Sequence, residues 1–258
     1  MRRILALLLT CVCPAFVLGA DQWVELFNGN NLDGWSPKIR GQEAGHDPAR
    51  TFRVEDGNLV VSYADYVSFD DRFGHLFFKQ PFSHYRLRLE YRFVGNQAPG
   101  APAWAFKNSG VMVHSQSPYT MPAAQDFPIS IEVQFLGGRG DGVARPTANM
   151  CSPGTHIVYQ GKFTDTHCLP SGAPTFHGEE WVHVEVLVEE DRVIEHFVNG
   201  ESVMSYGGLT TGGGVVSGHQ PEQKPEGAPL KSGYIALQSE GHPIQFRNLS
   251  VLDLGTSR

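Results

Sequence analysis

Helical periodicity of useful length is missing from this chain of 258 residues, and so are an interdomain linker, a basic cluster and a repeated aromatic-basic pattern. The first absence argues against an α-helical or α/β fold, and the second for a single domain. A formal net charge of −7 without a basic patch makes nucleic acid and anionic membranes poor partners. Cysteine is scarce too, at four residues. Cys11 and Cys13 fall in the first twenty residues, leaving Cys151 and Cys168 in Pro/Gly-rich sequence that reads as loop. Two cysteines cannot make a structural zinc site alone, and the nearby His156 and His167 do not complete a finger spacing.

What is present begins with a leader. Arg2 and Arg3 precede the apolar run Ile4 to Leu9, and Val17-Leu18-Gly19-Ala20 supplies small residues for cleavage. Residues 1–20 therefore read as a signal peptide and 21–258 as the exported domain, periplasmic or secreted. The run is short and interrupted by Pro14, so a retained anchor is the lesser alternative, and no membrane span is expected in the mature chain. In an oxidising compartment Cys151 and Cys168 are expected to pair, which in the chain-entropy model contributes about 3 kcal/mol.

The remainder is written in strands and turns. Tyr85 to Phe93 and Trp181 to Val188 alternate apolar with polar residues, as does Ile129 to Phe135. Asp56-Gly57 and Asn199-Gly200 are hairpin signals between such runs. Gly207 to Pro229 reads as a mobile loop at a sheet edge or cleft rim, and Arg72, His75 and Lys79 as solvated loop charges. Eight or more short strands predict an all-β sandwich of two antiparallel sheets, jelly roll rather than barrel.

Strand alternation turns Ile129, Ile131, Val133 and Phe135 to one face and Ser130, Glu132 and Gln134 to the other. A surface carrying Glu, Gln, Asn and His can bond the hydroxyls of a sugar, and the Glu or His can move protons. Gln238 and Glu240 share a face in the same way if the last turn begins after them, and His114 and His196 lie in expected strands. His196 alternates with Ile194 and Val198, a pattern that suits a core histidine as well as a functional one. Asn108-Ser109-Gly110 also suits turn chemistry, and Arg247 also suits the satisfaction of buried carbonyls. Sandwich glucanases carry Glu-x-Asp-x-x-Glu on one strand; here the run is Glu132-Val133-Gln134-Phe135-Leu136-Gly137. An amide replaces the second acid and the third is missing, which argues against ordinary double displacement on this strand.

Six ordered blocks carry a resemblance. They are Leu26 to Trp35, Thr51 to Leu59, Asn108 to Val111, Ile131 to Gln134, His196 to Gly200, and Gly233 to Gly241 with Phe246 to Asn248. Together they resemble the 3-keto-disaccharide hydrolase domain, also catalogued as domain of unknown function 1080. The resemblance implies a concanavalin-like jelly roll, export in bacteria, and a 3-keto-glycoside as carbohydrate partner. A ketone at sugar carbon 3 acidifies the hydrogen on carbon 2, so a base can form an enolate, the carbon 1 substituent is expelled, and water adds back. On this expectation Glu132 or His196 is the base, and Glu240 or His114 protonates the leaving group. Asn108, Gln134, Gln238 and Arg247 hold sugar and enolate oxygens. A divalent cation between Glu132, His196 and Glu240 is an alternative to some of these donors, although no spacing demands one. The competing readings are a noncatalytic, lectin-like carbohydrate-binding jelly roll of the cell envelope, and an interaction protein using the sandwich edge.

Overall fold

The computed structural model describes residues 22–255, so the expected signal peptide lies outside the described residues. Strands β1 to β17, numbered along the chain, form two antiparallel sheets. One sheet runs in the order β12 (Cys168–Leu169), β9 (Asn149–Cys151), β8 (Ile131–Leu136), β7 (Asn108–Ser115), β16 (Gly233–Ser239), β5 (Gly74–Phe82), β2 (Trp35–Ile39). The other runs β11 (Lys162–Thr164), β10 (Thr155–Tyr159), β15 (Glu201–Thr211), β14 (Val193–Val198), β13 (Val182–Glu189), β6 (His84–Phe93), β17 (Ile244–Asp253), β4 (Asn58–Val61), β3 (Phe52–Glu55), with β1 (Val24–Glu25) paired to β17. The fold is the expected jelly-roll-like sandwich.

Alternation sets the faces. In β6, Tyr85, Leu87, Leu89, Tyr91 and Phe93 are buried while the residues between them are half-exposed. In β8, Ile131, Val133 and Phe135 point inward to meet them, and Tyr91 stacks on Phe135 between the sheets at 4.2 Å and 7°. Each such fully buried side chain contributes about 1.5–3 kcal/mol relative to exposure. The hairpins form where the turn residues accept positive φ: Asp56 and Gly57 at 48° and 76°, Asn199 and Gly200 at 49° and 87°.

Four expectations about loops need correction. Gly74 to Phe82 is a full strand in the seven-stranded sheet; His75 within it is buried, whereas Lys79 is exposed and Arg72 half-exposed. Its apolar run faces protein on both sides, so no alternation announces it. Asn108-Ser109-Gly110 is not a turn but the first part of β7, with Ser109 Oγ donating to the Gln238 carbonyl at 2.9 Å. Gly207 to Thr211 continues β15, so the loop begins only at Gly212. Cys151 and Cys168 lie in two short paired strands rather than in loops, directly opposite one another and joined by the expected disulfide.

Candidate active site

The outward face of the seven-stranded sheet carries the site. Register places Met112 opposite Glu132, Gly110 opposite Gln134, Ala236 opposite Met112, and Gln238 opposite His75. Lys38 lies opposite His75 in turn. Because opposed residues share a face, Lys38, His75, Gln238, Gly110 and Gln134 form a row across the sheet, with Glu132 in the next. Gly110 is the gap in that row: a Cβ there would lie 2.9 Å from both Cγ and Oε1 of Glu132. The Glu132 side chain therefore leans over the glycine, toward Gln238.

Glu240 comes from just beyond β16. Gly241 turns the chain at φ 104°, its N–H donates to the Tyr63 hydroxyl at 2.7 Å, and any Cβ would strike Ala101. Glycine at this position lets Glu240 enter the same space as Glu132. Both are almost fully buried, at 4% and 5% exposure, yet both line a cavity of about 400 Å³. Its floor is built by Glu132, Gln134, Asn108 and Glu240. Loops raise its walls: Trp104, Phe127, Pro153, Val215 and the disulfide at Cys168, with Arg145 and His167 among them.

The electrostatics follow from burial. Desolvation drives the Glu132 carboxyl up to about 8, and the neighbouring Gln238 amide eases its ionisation a little. Glu240 is pushed well above the ordinary carboxylate range, first by burial and then by the charge of Glu132. The two ionise as a pair, with Glu132 first. Although Gln238 lies close enough to influence Glu132, the amide is outside hydrogen-bond geometry. Both its polar atoms, Glu132 Oε1, Glu240 Oε2 and Asn108 Oδ1 are left without a protein partner. Native interiors leave few such atoms unpaired, and a cluster of them around one cavity marks a place where a polar ligand completes the bonding. Gln134 is better provided, accepting from Asn149 Nδ2 at 3.1 Å.

Three of the residues expected at the site are elsewhere. His196 is buried between the sheets with both ring nitrogens engaged, 2.8 Å from the Ala148 carbonyl and 2.8 Å from the Tyr206 hydroxyl. Burial lowers it to about 4, which leaves a neutral, structural imidazole. His114 takes φ 49° near the end of β7 and turns away from the pocket, Nε2 lying 2.9 Å from the Glu190 carbonyl and the ring 6.4 Å from Tyr85. Arg247 is on the outer face of the other sheet, paired with Glu90 and 4.0 Å above the Trp181 ring. His196 follows the apolar stripe of Ile194 and Val198 into the core and Arg247 belongs to the other sheet, whereas His114 lies in the site's own sheet and leaves its face where the backbone takes positive φ.

Other residues enter that sequence reasoning passed over. His75 is fully buried with no partner for either nitrogen and is lowered to about 3 by burial and then by Lys38. Its ring meets Phe127 edge-on at 5.9 Å, behind the pocket wall. Lys38 donates to the Ile39 and Ala123 carbonyls. His75 reads from sequence as one of the solvated loop charges, and Lys38, in Trp35-Ser36-Pro37-Lys38-Ile39, carries no signal.

The cation expected between Glu132, His196 and Glu240 loses its histidine, which leaves two carboxylates. Ligand atoms of Cys151, His167 and Cys168 lie within 4.8 Å of one another, the one such trio among the described residues. Both sulfurs are committed to the disulfide, so they cannot act as thiolate ligands.

Comparison with known proteins then decides the family. The model of the 3-keto-alpha-glucoside-1,2-lyase-like domain matches residues 22–252. The chain belongs to that family. Membership supports a carbohydrate-acting enzyme of the glycosidase type, and it takes in both carboxyls of the pocket floor. A search of curated proteins gave no match. Two candidate glycosyl hydrolases of known structure from Parabacteroides distasonis ATCC 8503 are similar to this lyase-like domain in fold. One is 18% identical with TM-score 0.53, covering 90% of this chain and 100% of its own. The other is 19% identical with TM-score 0.53, covering 91% and 95%. No helix among the described residues is long and apolar enough to cross a membrane.

Proposed function

We propose that the protein cleaves 3-keto-glycosides by elimination across sugar carbons 1 and 2, with Glu132 as base and Glu240 as acid. The observation that carries the reading is the pair of buried carboxyls with unpartnered oxygens, Glu132 and Glu240, facing one cavity beside Gln238 and Asn108. Ionised Glu132 takes the proton on carbon 2, and the electron pair passes to the carbon 3 oxygen as an enolate. The enolate collapses to a carbon 1–carbon 2 double bond, the bond from carbon 1 to the leaving oxygen breaks, and that oxygen takes the proton of Glu240. Water then adds: Glu240 removes a proton as hydroxide joins carbon 1, and Glu132 returns its proton to carbon 2. Hydration thus restores both residues to their starting states.

The division of labour follows from the unequal environments. A carboxylate that binds its proton near neutrality is a far stronger base than an exposed glutamate, and its charge keeps the second carboxyl protonated as the acid. The amides of Gln238, Gln134 and Asn108 supply donors for the keto and enolate oxygens and for ring hydroxyls. Family membership supports the 3-keto sugar as substrate, and the disulfide suits the periplasm or the cell exterior.

The test is turnover of a 3-keto-glucoside with a chromogenic leaving group, run beside the unoxidised glucoside, with and without a chelator. The reading requires that only the ketone be consumed. Equal consumption of both substrates, or of neither, removes it. Loss of turnover with chelator, restored by a divalent ion, adds a metal between the two carboxylates as the enolate's electrophile.

A further inference from the structure

We propose that the leaving-group side of this pocket takes a flat, apolar aglycone in preference to a second sugar, with Trp104 and Val215 as the specificity-determining side chains. The inference rests on the reading that Glu132 and Glu240 are the reacting end.

The pocket divides into two chemistries. Partnerless polar atoms gather at Glu132, Glu240, Asn108 and Gln238, whereas the walls are mainly the carbon and sulfur of Trp104, Phe127, Leu136, Pro153, Cys168 and Val215, with Arg145 and the partnerless Nδ1 of His167 as their polar groups. A sugar ring seated on the first group satisfies it. A second sugar against the walls would give up water from most of its hydroxyls with return only at Arg145 and His167, while a ring of carbon gains from contact with the apolar side chains.

Two wall residues have features that the fold does not require. Trp104 is 49% exposed and yet firmly mounted, stacked on Phe73 at 5.8 Å and 18°, with Phe73 itself 5.1 Å from Phe127. The result is an aromatic ledge with one indole face left open to the cavity, suited to offset stacking of a planar ring. Val215 is 53% exposed and holds φ at 60°, a conformation that a β-branched residue rarely adopts. Its loop is pinned on both sides. Gly214 accepts from Gly154 N–H at 3.1 Å, and Ser217 N–H donates to Asp126 Oδ1 at 2.8 Å. The same Asp126 oxygen accepts the N–H of Phe127 at 2.7 Å, so one carboxylate sets both the loop and the facing ring. Strain of this kind persists where surrounding bonds over-determine it, and it concentrates at ligand clamps. Here it holds an apolar side chain in the lining of the cavity that Trp104 also lines. Arg145 also lines this side, and its planar guanidinium tolerates a ring face.

The experiment compares benzyl glucosides of both anomers with maltose and cellobiose, whose leaving groups are all alcohols. Titration calorimetry on the unoxidised compounds reads binding without turnover, and kcat/KM on the 3-keto forms reads specificity. The benzyl compounds are expected to be favoured at least tenfold in either readout. Trp104→Ala should reduce the ratio of benzyl compounds over disaccharides about tenfold, Trp104→Phe should restore most of it, and Val215→Ser should reduce it by less. Equal or better use of the disaccharides, or a preference untouched in Trp104→Ala, overturns the proposal. A benzyl preference in binding without turnover of any 3-keto compound would sustain this inference and sink the elimination reading; turnover of 3-keto compounds without a benzyl preference would do the reverse.

Discussion

Both sheets turn a polar face outward, and the two faces are built on opposite principles. On the ten-stranded sheet the arginines have company: Arg247 pairs with Glu90, Arg86 with Glu185, Arg92 donates to Gln245 and Arg88 to Ser250. Trp181 and Trp23 lie beneath three of these guanidiniums. On the seven-stranded sheet the polar groups are buried, and Glu132, Gln238, Glu240, Asn108 and His75 keep atoms without a protein partner. Polar and apolar residues alternate in β6 and β13 of the first sheet and in β8 of the second. Completed bonding makes the first face a stable surface, and unfinished bonding makes the second a candidate for ligand and chemistry.

The largest effect expected from breaking this contrast is at Glu132. Glu132→Gln keeps the shape and removes the base, so turnover of a 3-keto-glucoside should fall by about 10² to 10⁴-fold with thermal stability retained. Glu240→Gln should cost about 10²-fold or more with a poor leaving group and much less with an acidic phenol, measured as kcat across a leaving-group series. The structural histidine should behave in the opposite way. His196→Ala strips two buried hydrogen bonds and leaves a void, costing about 2–4 kcal/mol in denaturant unfolding while the folded fraction keeps its kcat. Gln238→Met should act on the pH profile: without the amide that eases its ionisation, Glu132 binds its proton more tightly, so the rising limb near pH 8 moves upward. Smallest of all, Arg247→Ala breaks a half-exposed pair, which should cost under about 1 kcal/mol and leave turnover unchanged.

Stability should carry the same signature. Glu132 is raised in the folded state, so the native protein holds a proton that the unfolded chain has released between the ordinary carboxylate range and about pH 8. The favourable contribution is full in acid and is lost as pH rises through that window. Melting temperature should fall from pH 5 to pH 9, and Glu132→Gln should flatten the fall.

Much of the architecture was legible because it is written in local patterns. Strict alternation in Tyr85 to Phe93, and the Asp56-Gly57 and Asn199-Gly200 turns, specify strands and hairpins without knowledge of the partner strand. Glu132 can be paired with Gln134 because spacing within one strand fixes a shared face, whereas Asn108 enters as a candidate only with the family resemblance. The remainder needed three dimensions. His75 lies in an apolar run that packs on both sides, so nothing in sequence separates it from its neighbours. His196 shares the apolar stripe of Ile194 and Val198, which suits a core histidine, and only sheet assignment shows that Arg247 points onto the opposite outer surface. Gly110 reads as the start of a strand, and only in three dimensions is the Glu132 side chain found lying across it.

The claim at the centre of this account is that Glu132 removes the hydrogen on carbon 2 of an oxidised sugar. Single-turnover cleavage of a 3-keto-glucoside deuterated at carbon 2 tests it most directly, because product release cannot mask the step. The account predicts slower cleavage of the deuterated sugar by the native protein and near-complete loss of cleavage in Glu132→Gln. Equal rates for the two isotopologues, with the variant still active, would contradict it.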